Sequence, residues 1–127
     1  MDSTMEVGKK LVDLCNKGKA MEAITTLYSP KIVSIEARAG GPEMPQRMEG
    51  LPAVKGKAEW WEKNHTVHSG KAEGPWPHGD RFIVRFKYEV TPKVGPMSGK
   101  KITLDETALY TVKNDKITQE EFFYHMG

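Results

Sequence analysis

Between Arg81 and Val90 the chain alternates: Phe82, Val84, Phe86, Tyr88 and Val90 share one parity, and Ile83, Arg85, Lys87 and Glu89 share the other. A period of two with one apolar face belongs to a strand covered on one side only, so this stretch commits the chain to an antiparallel sheet with something packed on it. Ile102 to Val112 repeats the pattern through Ile102, Leu104, Ala108, Tyr110 and Val112. Lys113-Asn114-Asp115-Lys116 then predicts a tight hairpin into a last strand, Ile117 to His125. From Gln119 to His125 both parities mix acids with aromatics, and a bulge there exchanges the faces.

The cover for that sheet lies upstream. Ser3-Thr4-Met5-Glu6 fits a capping box, and Val7, Leu11, Leu14 and Cys15 form the apolar stripe of a helix that stops at Asn16-Lys17-Gly18. A second short helix carries Ala20, Ala23, Ile24 and Leu27 and ends at Tyr28-Ser29-Pro30, because proline disfavours a helical residue before it. Lys31 to Ala37 reads as a strand. Arg38 to Gly50, rich in Gly, Pro, Met and charge, reads as a long loop. Pro52 opens a third helix whose inner face holds Val54, Ala58, Trp61 and His65. A short strand from Val67 to Glu73 and a turn from Gly74 to Asp80 complete the order. Helices early and long hairpins late predict a single α+β domain over residues 1–127, three helices packed in the concave face of a strongly curved, mixed or antiparallel sheet, a cone-shaped α+β barrel.

Composition narrows the function. Nineteen Lys and Arg against seventeen Asp and Glu leave a net charge of +2. The basic pairs Lys9-Lys10, Lys55 with Lys57, and Lys100-Lys101 are scattered among acids as on a solvated surface, which argues against nucleic acid or an anionic membrane as partner. One cysteine, Cys15, forms no internal disulfide, and no secretory signal opens the chain, so a cytoplasmic, soluble protein is expected. No apolar run approaches the ~20 residues of a membrane-spanning helix. Neither a Gly-rich phosphate loop nor a metal-ligand cluster is present, so no cofactor and no metal is expected.

Four segments carry a resemblance over nearly the whole chain: Leu27-Tyr28-Ser29-Pro30-Lys31-Ile32-Val33, Gly50-Leu51-Pro52-Ala53-Val54, Gly79-Asp80-Arg81-Phe82-Ile83-Val84 and Asn114-Asp115-Lys116-Ile117. With them the sequence resembles the nuclear-transport-factor-2-like superfamily, and within it the SnoaL-like group related to ketosteroid isomerase and polyketide cyclases. Such folds host isomerases, dehydratases, epoxide hydrolases, cyclases and non-enzymatic binders. The resemblance implies a pocket inside the curved sheet and a homodimer formed through its convex side. It places Glu36 where ketosteroid isomerase carries its general-base carboxylate. Leu11 stands at the position of the isomerase's first-helix tyrosine, and Ala108 or Thr107 at that of its acidic donor, so the isomerase oxyanion hole is missing. The Asp-Arg-Asp set of limonene-type epoxide hydrolases is not matched by Arg38, Arg81 or Arg85.

Two carboxylates are candidate acid–base groups. Glu36 shares a strand face with Ile32 and Ser34, and is a pocket base if that face points inward, a solvent or interface carboxylate if not. Glu106 interrupts the apolar face of Leu104, Ala108 and Tyr110, so it is paired, protonated or facing a wet cavity. His65 and His68 are candidate acids, or rim histidines each held by a hydrogen bond. Tyr88 and Tyr110, on facing strands, are candidate donors to an oxyanion or packing groups with satisfied tips. Trp60, Trp61 and Phe86 are candidate pocket walls, Trp76 a loop anchor, and Met44, Met48 and Met97 an adaptable lid. Two functions follow: a cofactor-free isomerase, lyase or cyclase acting on a small hydrophobic carbonyl compound, or a non-catalytic domain that binds a small hydrophobic or aromatic molecule or serves dimerisation.

Overall fold

A computed structural model describes residues 3–39 and 45–124. Its elements are α1 (Ser3–Asn16), α2 (Ala20–Leu27), β1 (Tyr28–Ile35), β2 (Arg47–Glu49), α3 (Leu51–Lys63), β3 (His65–His78), β4 (Arg81–Pro92), β5 (Ile102–Lys113) and β6 (Lys116–Phe123). The strands form one open sheet in the order β2-β1-β6-β5-β4-β3. It is mixed, since β1 runs parallel to β6 while every other pair is antiparallel. The three helices pack on one face of it. Met44 and His125 lie outside the described residues.

The alternation in β4 is read out directly. Phe82, Val84, Phe86 and Val90 are buried, whereas Arg81, Ile83, Arg85, Lys87 and Glu89 are exposed. Register then carries this inner face across the sheet. Phe82 stands opposite Tyr110, Tyr110 opposite Glu120, and Glu120 opposite Ser34. A second row runs from Val84 through Ala108 to Phe122, and a third joins Phe86 to Glu106. Val7 and Leu11 of α1, Ala23, Ile24 and Leu27 of α2, and Val54 of α3 close the core against these rows.

Several sequence expectations shift. β3 runs through the predicted turn: Trp76, Pro77 and His78 pair with Ile83, Phe82 and Arg81, and only Gly79-Asp80 remains to reverse the chain. Its Gly and Pro residues disguise it, yet the long amphipathic β4 beside it offers a template for pairing. Trp76 is therefore a strand residue, 53% exposed on the outer face, rather than a loop anchor. Within the predicted loop, Arg47–Glu49 pairs with Val33–Ile35 as an edge strand. α1 starts at Ser3, whose hydroxyl donates to Asp115 rather than closing a box with Glu6. α3 ends at Lys63, so His65 begins β3 and is not on the helix. The last hairpin forms as expected, with Asn114 and Asp115 both in the left-handed region that a two-residue turn requires.

The ambiguous faces of β6 are resolved by an irregularity. Ile117 pairs with Val112 and Gln119 with Thr111, so Thr118 is an extra residue. This bulge lets Ile117 and Glu120 both point inward although their parities differ. Phe122 follows Glu120 on the inner side.

Candidate functional site

The end of β1, the inner side of α3 and the C-terminal half of β6 bring together residues far apart in sequence. Ser34 and Glu36 share the inner parity of β1, as the sequence suggested. Lys57 reaches them from α3: positions 54, 57, 58 and 61 follow the i, i+3, i+4, i+7 spacing of one helix face, so Lys57 flanks the Val54–Trp61 stripe. Its ammonium donates to Glu36 Oε2 at 2.7 Å and to Ser34 Oγ at 2.5 Å, and lies 5.0 Å from the centre of the Phe122 ring. Its side chain is 14% exposed, so it is a site residue and not the solvated surface lysine expected from composition.

Behind Lys57 sits Glu120, 3% exposed at the parallel β1–β6 junction. Its two oxygens accept hydrogen bonds from the Tyr28 hydroxyl and, at 2.7 Å, from the Ser34 hydroxyl; Lys57 Nζ is 3.8 Å away. A buried carboxylate without such partners carries a large desolvation penalty. Burial pushes the Glu120 carboxyl up, while Lys57, Tyr28 and Ser34 oppose the shift. On the other side of Glu36, Tyr124 donates its hydroxyl to Oε1 at 3.0 Å. A continuous polar chain thus runs Tyr28, Glu120, Ser34, Lys57, Glu36, Tyr124.

That chain ends at an open depression of about 210 Å³ whose wall includes Glu36, Ala37, Gln46, Phe122 and Tyr124. Glu106 does not line the depression but is within electrostatic reach of it. It is partly accessible and makes no hydrogen bond or ion pair among the described residues. Burial pushes its carboxyl up to about 7; the charge of Glu36 adds to this, Lys57 opposes it and Glu120 adds again. At neutral pH such a group is divided between acid and base and is suited to both accepting and returning a proton.

The other expected site residues lie elsewhere. His65 donates Nδ1–H to the Trp61 carbonyl at 2.7 Å and stacks on the Trp61 ring with centroids 4.4 Å apart. His68 is exposed and shares a 2.7 Å hydrogen bond with Thr91. Neither has a hydrogen bond or ion pair with the carboxylates. Tyr88 and Tyr110 do not face each other in register, because Tyr88 pairs with Leu104 and Tyr110 with Phe82. Tyr88 lies between Trp61 and Phe86, each 5.9 Å away by ring centroid, and lines a second open depression of about 310 Å³ with Gly70, Lys71 and Thr103. Burial first, then the charge of Cys15 and Glu106, raises the Tyr88 hydroxyl's pKa. Tyr110 is 2% exposed and Phe86 belongs to the core, while Trp60 is half-exposed on the outer side of α3. Cys15 is raised to about 12 by burial and by Glu120, which makes it an inert packing thiol.

Among the described residues no group of His, Cys, Asp and Glu is placed to hold a metal ion, and no helix is long and apolar enough to cross a membrane. Lys57, Glu120, Ser34, Tyr28 and Tyr124 were not legible as site residues. The helical spacing of Lys57 was the one signal that could have found any of them.

Comparisons with known proteins agree with this architecture. The family model of the SnoaL-like domain matches residues 2–124. A candidate SnoaL-like polyketide cyclase of Mesorhizobium loti is 41% identical, with a TM-score of 0.85 over 94% of this chain and 97% of its own. At 15% identity, a candidate isomerase of Bacillus subtilis superposes with a TM-score of 0.74 over 98% of this chain and 90% of its own. A Catenulispora acidiphila protein with a ketosteroid isomerase-like fold, solved with trimethylamine, gives 0.72 at 17% identity, covering 97% and 88%. These last two likenesses concern the fold alone. No curated protein sequence is significantly similar to the chain. The matched length and the Mesorhizobium relative together make this chain a member of the SnoaL-like domain family.

Proposed function

We propose that the protein is a cofactor-independent isomerase, lyase or cyclase that moves a proton on a small hydrophobic carbonyl compound, with Glu106 as the proton carrier. One observation carries this reading: a partly accessible carboxyl, with no hydrogen bond or ion pair among the described residues and pushed up to about 7 by burial, lies within electrostatic reach of a second carboxylate held by Lys57 and Tyr124. In this scheme the substrate reaches inward past the Glu36 rim to Glu106, which as carboxylate removes a proton from the carbon next to the carbonyl and as carboxylic acid returns it to another carbon or to a leaving group. Glu36 stays at the rim as an anchored carboxylate, and the Tyr124 hydroxyl beside it orients the substrate. Neither histidine is needed for this scheme.

A second reading, a non-catalytic binding domain, is favoured by the lining of the opening at Glu36, which does not include Glu106. One experiment separates the two. Small cyclic and aryl ketones are incubated with the protein in D2O and their deuterium content is read by mass spectrometry. Catalysed uptake by wild type that disappears in Glu106→Gln supports the enzyme. Thermal stabilisation by the same ketones without any uptake supports the binder.

A homodimer through the outer face of the sheet, in a cytoplasmic setting, completes the proposal. Its support is an apolar outer patch: Trp76 and Ile83 are paired neighbours, 53% and 40% exposed, and Phe123 on β6 is 49% exposed.

A further inference from the structure

We propose that Lys57 is a positioning residue, braced from behind by Ser34 and Glu120 so that its ammonium holds Glu36 at the pocket rim and supplies the cation that faces the inner carboxylates. The inference rests on the proposed role of Glu106 and extends it to the group that sets its working range.

The bracing is geometric. Ser34 links the two partners, accepting from Lys57 at 2.5 Å and donating to Glu120 at 2.7 Å, so the lysine is tied to the sheet rather than free at the end of its stem. Glu120 is fixed in turn by Tyr28 from the core. The far side of the ammonium takes Glu36 at 2.7 Å, and Tyr124 closes on the remaining Glu36 oxygen. Glu36 therefore has two donors on opposite oxygens and one orientation. Among the described residues, Lys57 is the cation that ion-pairs with Glu36 and Glu120.

The charges around Glu106 come from every neighbouring element. Glu36 from the end of β1 and Glu120 from β6 push its proton affinity up, Lys57 from α3 pulls it down, and Tyr88, Tyr110 and Tyr124 also interact with it electrostatically. The tyrosines are neutral near pH 7, because burial and the nearby carboxylates raise all three above their ordinary value. Removing the ammonium therefore takes away the positive charge that opposes Glu36 and Glu120 at Glu106. An opposite charge near a carboxylate lowers its midpoint by about one pH unit or more.

The test is a 13C-carboxyl NMR titration of all glutamates in wild type, Lys57→Met and Lys57→Arg, with assignment through Glu106→Gln. The Glu106 midpoint is expected to rise by about one unit in Lys57→Met and to return towards the wild-type value in Lys57→Arg. Because Lys57→Met leaves Glu120 and Glu36 without their cation, the double variant Lys57→Met/Glu36→Gln provides a second comparison. Its Glu106 midpoint must lie above that of Glu36→Gln alone. An unmoved midpoint in both comparisons overturns the positioning role even if Glu106 titrates near 7 in wild type. If wild-type Glu106 titrates in the ordinary carboxylate range, the proposed role of Glu106 fails instead, and the two failures are told apart.

Discussion

Replacing Glu106 by Gln should make the protein more stable at alkaline pH, by an amount set by the carboxyl's displacement. Its ordinary value is 4.5 and its folded value about 7. At about 1.4 kcal/mol per unit, ionising this group in the folded protein is costlier than in the unfolded chain by about 3 kcal/mol. The side chain is partly accessible, and water screening lowers the expected effect to about 1–3 kcal/mol. The sign follows from a raised acid. Below pH 4.5 the carboxyl is protonated in both states and exacts no penalty. Between 4.5 and 7 the unfolded chain loses the proton first, so stability falls as pH rises; above 7 both states are ionised and the full penalty persists. Gln is neutral throughout and nearly the same shape. Urea melts of both proteins from pH 4.5 to 8 read the difference, in which the contributions of other groups largely cancel. The stability of Glu106→Gln relative to wild type is expected to climb by about 1–3 kcal/mol across that range, or several degrees in Tm. A difference that stays flat with pH would refute both the burial argument and the acid–base role built on it.

Three further outcomes follow from other parts of the fold. A methyl added at Gly70 would meet Tyr88 Cδ1 at 2.5 Å, and that ring is hemmed in by Trp61 and Phe86; Gly70→Ala should therefore cost about 1–3 kcal/mol in denaturant melts. Little loss would mean that Tyr88 is free to move. Cys15, partly buried and raised to about 12, should react slowly with a thiol reagent at pH 8 because little of it is thiolate, and labelling at the rate of an ordinary exposed thiol would contradict the raised value. Sedimentation of wild type should give a dimer and that of Ile83→Lys a monomer, because the substitution places a charge in the outer apolar patch; a monomeric wild type removes that interface.

The long strands were legible because their physics is local. In β4 each residue's neighbours two positions away declare the buried face, and Asn114-Asp115 declares the hairpin. β3 was half hidden, since Gly70, Gly74, Pro75 and Pro77 erase alternation and its pairing depends on β4 rather than on its own propensity. β2 is too short to carry a period at all. The site was less legible for the same reason. Glu106 stood out as an acid on an otherwise apolar face and Glu36 through the family resemblance; Glu36 pairs with Lys57, and Glu106 lies within its electrostatic reach. Lys57 itself read as a surface charge, because nothing local says that Ser34 and Glu120 wait on the sheet below it. Glu120 was obscured by the bulge at Thr118, which breaks the parity linking it to Ile117. The histidines are the opposite case: chemically suggestive residues that the structure ties to Trp61 and Thr91, with no hydrogen bond or ion pair to the carboxylates among the described residues.

The proposed chemistry needs the Glu106 carboxyl, on the inner face of the sheet, to be divided between acid and base at neutral pH. The most direct measurement is the 13C-carboxyl titration of wild-type protein with the Glu106 resonance assigned. A Glu106 midpoint near 7 is the expected result. A midpoint at the ordinary value of 4.5 would contradict the account.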